Sequence, residues 1–234
     1  MSAHHQLEGH TYQRFDGELN HLHLSLLEMG GLVTDQASEA LDSIKHQDLV
    51  KARKVCEREH QVDVLEKEID SRITAILAKR SPLARDLRGL MAFSKAVTDL
   101  ERIGNEAVRM ASISKIIYEN EVSNPSSYLL HDVHAMGKVV CNQLKESLNI
   151  FDLLDFERAE VLLNNRDELD EEFEVGLRRL TTYVMEDSRN VGHVINIVLV
   201  LKSLERIGNL AHNLAEYIVY LVSGEDVRHS ESNA

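Results

Sequence analysis

The residues best placed to do chemistry are acids at helical spacing. Asp63, Glu66 and Asp70 stand at i, i+3 and i+7, and Asp167, Asp170 and Glu174 repeat the spacing 104 residues later. On a helix each trio shares one face. Like charges so placed cost about 0.2–0.5 kcal/mol per pair unless a cation compensates. The same offset relates Glu101 with Asn105 to Glu205 with Asn209, each pair at i, i+4. Glu101 has no basic residue three or four positions away, and Glu205 has only Lys202. Carboxylates and an amide carbonyl from two adjacent helices would suit a divalent cation bound through oxygen. The candidate ligands are therefore Glu66, Asp70, Glu101 and Asn105 in one half, and Asp170, Glu174, Glu205 and Asn209 in the other. The competing reading is a solvated face, because a chain with 39 acidic residues produces such spacings by composition alone.

Other constellations carry less. Glu57 and His60 form an ExxH, but di-iron bundles need that motif on two helices, and residues 161–164 hold no copy. His21, His23, His131 and His134 read as surface histidines. Arg85, Asp86, Arg88, Arg178, Arg179 and Arg189 read as partners in local ion pairs. With no glycine-rich phosphate loop and no nucleophile elbow, an enzyme is not expected.

The acid pairs of the second kind sit in a string that occurs twice, Leu100-Glu101-Arg102-Ile103-Gly104-Asn105 and Leu204-Glu205-Arg206-Ile207-Gly208-Asn209. This is an internal duplication. Each copy puts a glycine inside a helical pattern at a cost of about 1 kcal/mol relative to alanine, so a backbone or a ligand should come close there.

Aromatics are only 5% of the chain and prolines number two, which favours aliphatic helix-on-helix packing and an all-α fold. Apolar residues recur at helical spacing from about Glu18 to His46, with a kink allowed at Gly30-Gly31. Asp48 would cap a second helix ending at Lys79-Arg80, and Ser81-Pro82 would cap and begin a third. In the second half, helices should run from Ser127 to Leu154, from Asp155 to Met185, and from a cap at Asp187-Ser188 to Val222, with Gly224 as stop signal. The expected architecture is two tandem, similar three-helix bundles of six long helices: residues 1–121, a joint at 122–127, residues 128–222 and a polar tail from 223.

A formal net charge of −13 disfavours nucleic acid, and no basic amphipathic face suggests a lipid surface. The apolar run Ile197 to Leu201 is far below the ~20 residues of a membrane span. Met1 to Gln13 has no apolar signal core, and Cys56 and Cys141 read as two buried thiols, so a cytoplasmic, reducing setting is expected.

Several separated motifs together resemble the PhoU family. They are the doubled Leu-Glu-Arg-Ile-Gly, Met29-Gly30-Gly31, Ala78 to Pro82 leading to Asp86-Leu87-Arg88, and Tyr183 to Arg189. The resemblance covers about Phe15 to His229. It implies a cytoplasmic accessory protein of phosphate-specific transport that represses the phosphate-starvation response. Such a protein would contact the transporter ATPase subunit and the sensor histidine kinase, commonly as a homodimer. The resemblance also implies metal binding (iron, zinc, manganese or magnesium) at repeated Glu/Asp-x-x-x-Asp motifs. Those are intact as Glu66 with Asp70 and as Asp170 with Glu174, whereas Asn105 and Asn209 replace the aspartate on the third helices, lowering the charge of each site by one. The rival to a regulatory adaptor is a metal-dependent helical-bundle protein, a paralogue with changed partners.

Overall fold

The structure is a computed structural model that describes residues 13–119, 125–164, 167–186 and 191–225. Seven helices and no strand occur among them: α1 Gln13–His46, α2 Leu49–Arg80, α3 Ala84–Glu119, α4 His131–Leu153, α5 Phe156–Leu163, α6 Asp167–Glu186 and α7 Val191–Ser223. The protein is all-α, as its aliphatic periodicity requires. Where one middle helix was expected in the second half there are two, α5 and α6. The start of the joint, the cap at Asp187-Ser188, Arg189, the tail from Arg228 and most of the His-rich N-terminus lie outside the described residues.

In α1, Leu19, Leu22, Leu26, Met29, Val33, Ala37, Ala40 and Ile44 recur every three or four residues and are all buried. This stripe meets α2 and α3 in one half, and α4 packs on α7 and the α5–α6 pair in the other. The halves share one continuous core. Antiparallel contact between α3 and α7 joins them, and so does contact between α1 and α4.

The helix α1 runs unbroken through Gly30-Gly31. Gly30 serves packing instead of a kink: a Cβ there would overlap Leu148 of α4. Reciprocally, a Cβ on Gly137 of α4 would lie 2.6 Å from the Leu41 methyls of α1. Gly30 and Leu41 are each 107 residues from Gly137 and Leu148, so the two contacts are one contact repeated about a pseudo-two-fold axis.

Caps explain the helix boundaries. Asp48 Oδ1 accepts from the Val50 and Lys51 amides at 3.0 and 3.1 Å, and Asp155 Oδ1 accepts from the Arg158 amide at 3.1 Å. Each such cap contributes about 1 kcal/mol. Ser81 is not the N-cap of α3. It closes α2 in the left-handed conformation at φ 46°, its N–H donating to Leu77 O at 3.3 Å, and α3 begins at Ala84 beyond Pro82. Gly224, at φ +82°, ends α7 by donating to Tyr220 O at 3.0 Å. A positive φ suits glycine, which has no Cβ to strain.

Candidate functional site

The first copy of the string places Gly104 on α3 against α2 and α1. What approaches this glycine is side chain, not backbone. A Cβ there would lie 3.3 Å from one Glu59 carboxylate oxygen and 3.4 Å from Gln36 Oε1. The fully buried Gln36 reaches from α1 and donates through Nε2 to Glu59 Oε2 at 3.1 Å and to Val55 O at 3.3 Å. The other oxygens of this pair, Gln36 Oε1 and Glu59 Oε1, are buried without a partner.

Acids collect around that point. Burial pushes the Glu59 carboxyl above its usual range, the Gln36 hydrogen bond opposes it, and the Asp63 and Glu101 charges push it further up. Glu66 is raised as well, first by burial and then by Glu101, Asp70 and Asp63, against a smaller opposing pull from Lys67. Of the expected first-half ligands, Glu66, Asp70 and Glu101 thus share one electrostatic neighbourhood. Asn105 is exposed and donates back along α3 to Glu101 Oε1. That bond occupies the carboxylate that a cation would use.

Sequence reasoning passed over Glu59, reading Glu57 and His60 in its place. The signal was present: Glu59 and Asp63 are themselves Glu-x-x-x-Asp, two turns before the pair that was singled out.

The second half is built differently. A Cβ on Gly208 would fall inside contact distance of Leu169 Cδ2, so an apolar side chain fills the space that Glu59 and Gln36 fill at Gly104. Gln143 lies close by, its Oε1 3.5 Å from the same point. The caps Asp48 and Asp155 are 107 residues apart, as are buried Ala52 and Ala159, Val62 and Leu169, and Ile73 and Leu180. The middle helices therefore correspond at 107, not at the 104 of the string. Asp170 then matches Asp63, and Phe173 matches Glu66. Asp170 and Glu174 are exposed beside Arg178, whose Nη2 stands 3.5 Å from Glu174 Oε2. Glu205 is paired with Lys202, and Asn209 is half-buried.

Among the described residues no group of three or more His, Cys, Asp or Glu is drawn together closely enough to hold a metal ion. The first-half donors are all oxygen and fit a hard cation in kind; they are not closed into a ligand sphere.

The histidines divide. His21 and His131 are exposed, but His23 is 6% exposed, stacked on Phe151 and 3.3 Å from Asp152, so it belongs to the core between halves. Burial lowers His134, helped by Lys45, His46 and His131. Cys56 and Cys141 are free and only partly buried. Arg179 pairs with Asp132 at 2.6 Å. No helix among the described residues is long and apolar enough to cross a membrane.

The PhoU domain model matches residues 26–114 and 133–218. The chain is 40% identical over 223 residues to the phosphate-specific transport system accessory protein PhoU homolog of Pseudomonas aeruginosa, covering 95% of this chain and 91% of that one. It is 34% identical, over 95% of this chain and 91% of the relative, to the accessory protein PhoU of Escherichia coli. The crystal structure of PhoU from Pseudomonas aeruginosa superposes with a TM-score of 0.85 at 39% identity, over 90% of this chain and 100% of that chain. That of the regulatory protein PhoU from Streptococcus pneumoniae does so at 0.80 and 25% identity, covering 90% and 97%. Two matched segments, one in each half of a duplicated all-helical chain, together with relatives similar along nearly their whole length, leave one conclusion: the chain belongs to the PhoU family.

Proposed function

We propose that this protein is a non-enzymatic regulatory adaptor of phosphate-specific transport, acting in the cytoplasm to hold the phosphate-starvation response off when phosphate is ample. The observation that carries the reading is similarity along 95% of the chain to proteins described as accessory to that transport system. The adaptor works by contact: its long helices meet the transporter ATPase subunit and the sensor histidine kinase, and it functions as a homodimer. Each half is a three-helix unit, the second with its middle helix in two pieces.

In this reading the acidic groove between α2 and α3 takes a hard divalent cation such as magnesium or manganese. Glu66, Asp70 and Glu101 are its carboxylates, with Glu59 and Asp63 beside them. The partnerless Gln36 and Glu59 oxygens and the raised Glu59 and Glu66 carboxyls support it, because each is a cost that a cation would relieve. Asn105 and Asn209 each remove a charge, so affinity is weak and iron or zinc is disfavoured. Asp170, Glu174, Glu205 and Asn209 form the weaker set, since Leu169 fills the room at Gly208.

Deleting the gene should raise phosphate-starvation transcripts in phosphate-replete medium, and the immobilised chain should retain the purified ATPase subunit. Transcripts that stay low, with no ATPase retained, would refute the adaptor reading.

A further inference from the structure

A surface cavity of about 510 Å³ lies where the beginning of α1 passes the end of α2, lined by Gly17, Glu18, His21, Arg72, Ala75, Ile76 and Lys79. That volume falls within the range of small-molecule sites. Its charge runs against the rest of the molecule. On this chain of net charge −13, Lys51, Lys54, Arg58, Arg158, Arg179 and Arg206 each have a carboxylate within 3.1 Å. Arg72 and Lys79 have none within 4.0 Å among the described residues. Among the described residues the one carboxylate in the lining, Glu18, is already committed, because Arg80 grips it through two bonds, Nε to Oε2 at 3.1 Å and Nη2 to Oε1 at 3.0 Å.

Arg72 turns instead to a histidine. One terminal guanidinium nitrogen stands 2.7 Å from His21 Nδ1 and 2.9 Å from Nε2, and only one ring nitrogen can accept its proton at a time. The remaining guanidinium donors and the Lys79 ammonium, one on each side of Ala75 and Ile76, line a cavity in which no described residue offers them a free carboxylate. Gly17 leaves the opposite wall open, since a Cβ there would meet nothing within 4 Å.

We propose that this cavity binds a phosphate monoester carried on a planar or apolar body. The dianion sits between Arg72 and Lys79, and the body lies on Ala75 and Ile76 against Gly17. Arginine and lysine are the usual recognition groups for phosphate, the first through its paired donors and the second as a point charge. The proposal does not depend on the adaptor reading, because it uses neither the acidic groove nor any partner.

The test is isothermal titration of the full chain at low ionic strength with adenosine monophosphate, inorganic phosphate and adenosine as probes. Adenosine monophosphate should bind saturably and more tightly than inorganic phosphate, and adenosine should not bind. Arg72→Gln should weaken it by roughly tenfold or more, the share of one charge-assisted hydrogen bond. Arg72 is exposed and forms no ion pair among the described residues, so the substitution leaves the fold intact. Gly17→Leu keeps both cations, fills the open wall and should also abolish binding, whereas Lys67→Gln, on the same helix away from the cavity, should change nothing. Absence of saturable binding by adenosine monophosphate would overturn the proposal, as would equal binding of adenosine or full affinity in Arg72→Gln.

Discussion

Alanine in place of Gly104 and of Gly208 makes the same change in the same six-residue string, yet the two variants should move stability in opposite directions. Each gains about 1 kcal/mol from helix propensity. At Gly104 the new methyl meets Glu59 and Gln36 oxygens at 3.3 and 3.4 Å, and the carboxylate is the end of a half-buried side chain that can withdraw by a few tenths of an ångström. The expected result runs from neutral to about 1 kcal/mol more stable. At Gly208 the methyl runs into Leu169, which is 1% exposed and has nowhere to go. Overpacking costs about 1–3 kcal/mol, leaving the variant about 0–2 kcal/mol less stable. Urea unfolding followed by circular dichroism at the helical band reads both, and each kcal/mol should appear as about 2–4 °C in a thermal melt. Leu169→Val in the Gly208→Ala background should recover part of the loss, a coupling that distant sites would not show. If Gly208→Ala is at least as stable as Gly104→Ala, the claim that the two glycines make room for different things is wrong.

The acidic groove gives a pH signature: Glu59 and Glu66 have raised carboxyls in the folded chain, which therefore binds more protons than the unfolded chain just above the usual carboxylate range. Glu59→Gln with Glu66→Gln should thus be more stable than the native chain at neutral pH, and the gap should close as pH falls through that range; a gap independent of pH refutes it. Magnesium at about 100 times its dissociation constant should stabilise the native chain by about 2.7 kcal/mol and leave the double variant unmoved, as read by thermal melting. Asp99, 3% exposed, accepts from Tyr217 Oη at 2.6 Å and Asn213 Nδ2 at 3.0 Å across the α3–α7 contact. Asp99→Ala removes the acceptor of both bonds and should cost about 1–3 kcal/mol by chemical denaturation, where no measurable loss would remove Asp99 from the joint. Gly30→Ala and Gly137→Ala should each destabilise, by similar amounts and additively, because both press a methyl into a leucine of the other half; a large inequality in urea midpoints would break the pseudo-two-fold relation.

Much of the fold was legible because helices announce themselves locally. The apolar stripe of α1, the caps at Asp48 and Asp155 and the stop at Gly224 depend on residues a few positions apart, which a sequence displays. Ser81 was misread because Ser-Pro fits either end of a helix, and only the left-handed backbone at Ser81 decides between closing α2 and opening α3. His23 was taken for a surface residue because its partners Phe151 and Asp152 are distant in sequence. Within the site, Glu66, Asp70 and Glu101 were visible as spacing. Glu59 was not, since its importance comes from Gln36 on another helix and from the missing Cβ of Gly104.

The duplication itself was legible, but its register was not single. An exact repeat of six residues fixes the offset at 104 for the third helices, and nothing in that string reports that the first and middle helices correspond at 107. A shift of three is nearly one helical turn, so an acidic face matched at the wrong offset still looks like a face. The physical consequence falls unequally on the molecule. Where the halves meet, Gly30 with Leu148 and Leu41 with Gly137 keep the repeat symmetric, because each half supplies both the gap and the side chain that fills it. Where each half packs within itself, symmetry is not required. A carboxylate and an amide stand beside Gly104, whereas Leu169, the counterpart of the smaller Val62 at the offset of 107, fills the room beside Gly208. One half thus carries a polar pocket under electrostatic strain while the other carries a packed one. A divalent cation should therefore act on the first half, and its stabilising effect should survive changes at Asp170 and Glu174 but not at Glu66 and Glu101.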